Sequence, residues 1–208
     1  MSTAELLLGL ILWSIAVATR PWRMLSGPLL TPVLAALALL PWGWMLPQWL
    51  PPALPLTWSG ACLLALTLGW PLSVLVLSGV AIPVWALGGW SADAVFTLWL
   101  WLGVLPATLS LLLGAAMRRW LPDHVFIYIL GRGFLGTVLC MFVAGWLHEA
   151  VHHSLSNVGM HDAVLARWLM AWGDGFMTGG IVAIAVAFFP QWLATWSDQR
   201  YLRQPSQG

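Results

Sequence analysis

The sequence predicts an all-α fold: a polytopic transmembrane bundle of about seven helices with a short third helix, forming one domain over residues 1–208. Three observations predict it. Hydrophobic residues make up 61% of the chain and charged residues 7%, against roughly 25% charged in a soluble domain. The mean hydropathy is +0.87, so lipid rather than water suits this surface. The 17 Trp point the same way, because amphipathic indoles collect at the two headgroup levels of a bilayer. The apolar residues also run continuously instead of alternating in the roughly ten-residue segments of a barrel. Helices satisfy their own backbone in lipid, so a helical bundle follows.

Segment one spans 4–19 and ends at Arg20-Pro21. Its acidic Glu5 precedes the apolar run and Arg20 follows it, the reverse of a cleavable signal's charge order. We therefore read it as a retained first helix. Segment two spans 27–46, with Pro32 and Pro41 as bending points. A connection, Pro47-Gln48-Trp49-Leu50-Pro51-Pro52, leads to segment three at 58–69, too short to cross without help. Gly69-Trp70-Pro71 breaks it. Segment four spans 72–88, segment five 94–117, segment six 124–153 and segment seven 164–193. Broken helices at membrane depth line a cavity or are buried by protein; a tight inter-helix turn is the plainer alternative.

The arginines orient these segments. Arg20 and Arg23 lie between segments one and two, Arg118 and Arg119 between five and six, and Arg200 and Arg203 after seven. Seven crossings with an extracytoplasmic N-terminus put all six on the cytoplasmic side, as the positive-inside rule requires. The expected location is a bacterial inner (plasma) membrane. This orientation depends on segment three being a crossing. The net charge is +1, without any Lys, and no basic patch suggests nucleic acid. Cys62 and Cys140 sit inside apolar runs and read as buried free thiols.

One cluster stands out: Trp146-Leu147-His148-Glu149-Ala150-Val151-His152-His153, at the outer end of segment six. His148 and His152 are four residues apart and share a helix face. Glu149 lies about 100° round. His161 and Asp162 follow in the outer connection. Four of the five His thus fall between 148 and 161. Neutral imidazoles are good ligands for Ni, Co, Cu and Zn. His-Glu-x-x-His is also the zincin pattern, in which two His hold Zn and Glu is the base, and Asp174-Gly175 could supply a later ligand. An interfacial polar cap is the third reading. Asp174, within Gly173-Asp174-Gly175 of segment seven, is a site candidate because an acidic group at membrane depth needs a partner or water. The alternative places it at a helix start outside the hydrocarbon. Arg132 is expected to extend its stem to the cytoplasmic headgroups. Asp123 and His124 look like a helix cap, and Arg167 is expected in the outer connection beside Asp162.

Several blocks carry a resemblance. They are Leu121-Pro122-Asp123-His124-Val125-Phe126-Ile127-Tyr128-Ile129 with Gly133-Phe134-Leu135-Gly136, then Gly173-Asp174-Gly175-Phe176. The ending Phe189-Pro190-Gln191-Trp192-Leu193-Ala194-Thr195-Trp196 through Asp198, Arg200, Tyr201 and Leu202 is another, as is Ser59-Gly60-Ala61 through Leu68-Gly69-Trp70-Pro71. In order and spacing these resemble the CbiM-like membrane-protein family, with a gap across 140–170. That family includes the substrate-capturing subunits of cobalt and nickel uptake systems of the energy-coupling-factor type, and a divergent branch to which this ending is closer. The resemblance implies a helical bundle, an extracytoplasmic N-terminus and an outer metal site. The departures concern the ligands. The chain starts Met1-Ser2-Thr3 where metal-transporting members start Met-His. It has Thr57 or Trp58 where they carry His, and Asp174 where the family usually has Glu. The usual Ni/Co ligand set is therefore absent.

The sequence thus leads to a membrane component of metal-ion uptake that is not itself an enzyme. It would hold a transition-metal ion (Ni, Co, Cu or Zn) at the outer face through His148, His152, His153, His161, Asp162 and Asp174. Copper would also draw on nearby Met and Cys. The chain has no phosphate-binding loop, so its expected partners are membrane lipid and other membrane or ATPase subunits. An intramembrane metalloprotease and a non-catalytic subunit or assembly factor of a larger complex remain open.

Overall fold

A computed structural model of the chain describes residues 2–25, 27–49, 57–122, 124–152 and 160–197, without the side chains of Met160, His161 and Ala163. The structure is 87% helical, with no strand among the described residues. We number its helices α1 (Thr3–Ala18), α2 (Leu30–Met45), α3 (Ala61–Thr67), α4 (Trp70–Gly88), α5 (Ala92–Trp120), α6 (Ile127–His152) and α7 (Met160–Phe188). Five helical stretches are long and apolar enough to cross a membrane. The chain is a multi-pass membrane protein.

Local chemistry sets most helix ends. Ser2 and Glu5 close a capping box at the start of α1, and the chain leaves it through Arg20 in the left-handed region, followed by Pro21. Such a box satisfies two amides that would otherwise lack partners. Gly69 and Pro71 start α4, and Gly89 at φ 64° ends it. Ser91 caps α5. Two helices contain wide turns, Trp99–Val104 in α5 and Ile127–Leu135 in α6. The first has an identifiable cause. Pro106 has no N–H for the carbonyl four residues back, and that carbonyl, of Leu102, instead accepts from the Ser59 hydroxyl at 2.6 Å.

Segment three differs from its expected extent. Its helix is only the seven residues of α3, all buried. Seven residues rise about 10 Å, a third of the roughly 30 Å hydrocarbon core. It is preceded by the non-helical stretch 57–60, which lies beside the end of α2, where the Trp58 N–H donates to the Gly43 carbonyl. Contacts at the two ends of the bundle fix the direction of each pass. At one end Glu5 meets His152 and the Gln48 amide donates to the Gly88 carbonyl. At the other, the Ala194 N–H donates to the Thr67 carbonyl and Gly131 packs on Met117. Arg20, Arg23, Arg118 and Arg119 are exposed at this second end; Arg200 and Arg203 lie outside the described residues.

Arg132 corrects another expectation. It does not reach the headgroups: it is 6% exposed, with its guanidinium over the Tyr128 ring and against Gly114. A Cβ at position 114 would lie 2.4 Å from its Nη2, so glycine there makes the room.

Lipid tails are as apolar as Leu, so helices associate through close packing rather than water exclusion. Gly175 and Gly179 bring α7 against Phe134 of α6. A Cβ on Gly179 would sit 2.9 Å from Phe134 Cβ and 3.3 Å from its Cα, so the backbone would have to move. We expect Gly179→Leu to destabilise the protein by about 1–3 kcal/mol, the usual cost of overpacking. Thermal unfolding in detergent checks this; an unchanged midpoint would contradict the packing.

Candidate functional site

Polar side chains gather at the end of the bundle opposite the arginine pairs. On α1, the Glu5 carboxylate turns back to the Ser2 amide (2.7 Å) while its Oε1 faces two other helices. There it accepts from the indole of Trp101 on α5 and from Nε2 of His152 on α6, both at 2.6 Å. One carboxylate thus ties three helices. Trp101 lies within the wide turn of α5 and presents its ring edge-on to His148 and His152, at centroid distances of 5.4 and 6.0 Å.

The His148 and His152 rings are 4.8 Å apart, as their spacing of four predicts. Beside them, Arg167 of α7 donates to Glu149 Oε2 and to His148 Nδ1, each at 3.3 Å. Arginine can only donate, so His148 Nδ1 is an acceptor here. Gly145 lets this arginine lie along α6: a Cβ there would be 3.2 Å from Arg167 Cδ. Arg167 is thus a member of the site, not of the connection beside Asp162. Glu149 is buried at 4% exposure.

Trp101, His148, His152 and Arg167 form one wall of a cleft of about 590 Å³. Its lining includes Trp90, Asp93, Thr97, Trp101, Met141, His148, His152, Arg167 and Met170, with Thr57 and Asp174. Asp174 is well inside α7, not at its mouth, and is 4% exposed. Its Oδ1 accepts from the Ser59 N–H at 3.0 Å and the Gly60 N–H at 3.5 Å. It therefore holds the stretch just before α3, where the Ser59 hydroxyl oxygen in turn accepts from the Ala61 N–H at 3.1 Å, and the backbone after α7 pairs with α3 at its other end. There the Ala194 N–H donates to the Thr67 carbonyl at 2.8 Å, and the Thr195 hydroxyl to the Leu66 carbonyl at 2.8 Å.

The sequence-predicted ligands separate accordingly. His148 and His152 come together. Asp174 shares their cleft but is engaged with the Ser59 and Gly60 amides. Asp162 is exposed in the first turn of α7. His153, the His161 side chain and Asp123 lie outside the described residues. Among the described residues, no three His, Cys, Asp or Glu side chains are placed to share an ion. His124 accepts from the Phe126 N–H through Nδ1, as a capping residue would. Sequence reasoning missed Glu5, Trp101 and Arg167 as site members. A carboxylate inside an otherwise apolar first helix was the available signal for Glu5.

No family model, curated protein or solved structure matches the chain.

Removing the Asp174 carboxylate leaves buried amides without partners, at about 1–3 kcal/mol each. Asp174→Ala should lower the unfolding midpoint clearly. Asp174→Asn, which keeps an acceptor oxygen, should lower it less. Equal midpoints for wild type and Asp174→Ala would show that this carboxylate carries little.

Proposed function

We propose that this chain is the membrane-embedded capture component of a transition-metal uptake system, taking an ion (Ni, Co, Cu or Zn) into the cleft from the extracytoplasmic side. The observation that carries the reading is the His148–His152 pair: adjacent rings on one helix face, both lining the cleft, one of them fixed by Glu5. Ligating histidines usually give their other ring N–H to a carboxylate or carbonyl, which sets the tautomer and makes the ring a better donor. With its Nε2–H given to Glu5, His152 has Nδ1 left to ligate. His148 Nδ1 now accepts from Arg167, so an entering cation competes with the guanidinium for that lone pair. Arg167 keeps Glu149 as its partner. His153, His161 and Asp162, next in the chain, would complete the ligand set. Asp174 stays with the Ser59 and Gly60 amides and forms part of the cleft wall.

The exposed Arg20, Arg23, Arg118 and Arg119 at one end of the bundle support a cytoplasmic assignment for that end. The cleft end and the N-terminus are then extracytoplasmic, and a bacterial plasma membrane is the fitting location. The CbiM-like resemblance supports the same orientation. Since the sequence contains no phosphate-binding loop, ATPase and further membrane subunits would supply the energy. A zincin reading asks Glu149 to face the metal as base, but Glu149 is buried against Arg167 and does not line the cleft. We therefore read the chain as non-catalytic.

Metal analysis of the purified protein tests the proposal. Wild type should retain a transition-metal ion, and His148→Ala/His152→Ala should lose at least tenfold in retained metal. Arg167→Gln, which removes the competing cation, should retain more than wild type. Equal metal content in wild type and the double-His variant would overturn the reading.

A further inference from the structure

The cleft is far larger than a single ion needs. It measures about 590 Å³, whereas one water molecule occupies about 30 Å³ of liquid. Sites for whole small molecules span roughly 300–1,000 Å³ and are mostly apolar, with a few placed polar groups. This cleft has that make-up: Trp90, Leu98, Trp101, Leu102, Met141 and Met170 line it beside His148, His152 and Arg167. A bare ion also disturbs the polar wall. Arg167 Nη2 donates to His148 Nδ1, so neutral His148 carries its proton on Nε2 and has its one lone pair on Nδ1. An ion bound by His148 takes that lone pair. The Arg167 N–H aimed at it then loses its acceptor, and the guanidinium charge is left facing a second cation.

We propose that the cleft takes its transition-metal ion as a chelate with a small hydroxy- or amino-carboxylate. The ion binds Nδ1 of His148 and of His152. A carboxylate of the chelator accepts the Arg167 N–H that His148 gives up, a charge-assisted bond for which the guanidinium is well shaped. One hydrogen bond is thus exchanged for another, and no proton moves. Arg167 keeps Glu149 throughout. The chelator's other donors fill coordination positions that two imidazoles leave open. Its carboxylates offset the ion's charge, which an apolar chamber within a membrane protein requires. Its organic frame occupies the space between Trp90, Trp101 and the methionines. Asp93 and Asp174 also line the cleft, and these carboxyl groups disfavour an organic acid that arrives without a metal.

The inference rests on the metal reading of the cleft, and the two fail differently. Full-length metal-free protein in detergent is given radiolabelled citrate or histidine, with and without Ni²⁺, Co²⁺, Cu²⁺ or Zn²⁺. It is then desalted, counted for chelator and analysed for metal. Wild type should keep metal and one of the two chelators together in equal amounts, and no chelator when metal is withheld. Arg167→Gln should still keep metal but hold at least tenfold less chelator. Metal kept by wild type with neither chelator overturns the chelate and leaves the metal reading standing. Neither metal nor chelator kept overturns both. Chelator kept equally well without metal also overturns the chelate. Should Arg167→Gln fail to fold, the ratio of chelator to metal on wild type decides alone.

Discussion

The bundle depends on a carboxylate that meets two amides. A seven-residue helix has nearly as many unpaired backbone groups at its ends as paired ones inside. In hydrocarbon each unpaired group costs several kcal/mol, so α3 cannot stand at membrane depth unaided. Asp174 pairs the Ser59 and Gly60 amides just before it, the Ser59 hydroxyl oxygen takes the Ala61 N–H, and the backbone around Ala194 and Thr195 covers its end. Two of these ties come from the last helix and the turn after it. The third helix is thus held by a segment far later in the chain. Pro106 adds a further tie, because the carbonyl it releases takes the Ser59 hydroxyl. The position of Cys62 and of the cleft wall beside Thr57 follows from these contacts.

At the cleft end, the two buried glutamates each have partners. Glu5 has His152 and Trp101, and Glu149 has Arg167. Partly buried ionic groups are tolerable only with such partners. The arrangement also means that an ion entering the cleft would exchange partners rather than add an unbalanced charge. Glu5 matters to shape as well as charge, because it joins α1 to α5 and α6 beside the residues that line the cleft.

The helices, their order and the ends of the bundle were legible in the sequence, because each rests on local information. Apolar runs mark the helices, glycines and prolines mark their limits, and the arginine pairs mark one end. The shared face of His148 and His152 was equally local, a matter of four-residue spacing. What the sequence left hidden depends on distant partners. Glu5 read as a flanking charge because its partners are 96 and 147 positions away. Arg132 read as a headgroup anchor because nothing near it in sequence announces the space at Gly114. Asp174 read as a ligand because a buried acid attracts that explanation, and the amides that hold it lie 115 and 114 positions earlier. The third helix was visible as a short segment, but the non-helical stretch before it follows from those same contacts.

Irregular backbone in a membrane is tolerated only where protein buries it or where it borders a cavity. Here two irregular stretches border the cleft. The stretch 57–60 supplies Thr57 to the cleft, and the wide turn of α5 supplies Trp101 and Leu102. The same turn gives up the carbonyl that anchors Ser59. α1 and α2, regular over most of their length, turn many large apolar side chains outward, among them Leu7, Leu10, Leu34 and Leu39. Two departures from helical regularity thus border the chamber, whereas the wide turn of α6, Ile127–Leu135, contributes nothing to its lining. The breaks at the chamber serve to open a polar-edged space within an apolar protein, and the carbonyl released there, of Leu102, is paired again by Ser59.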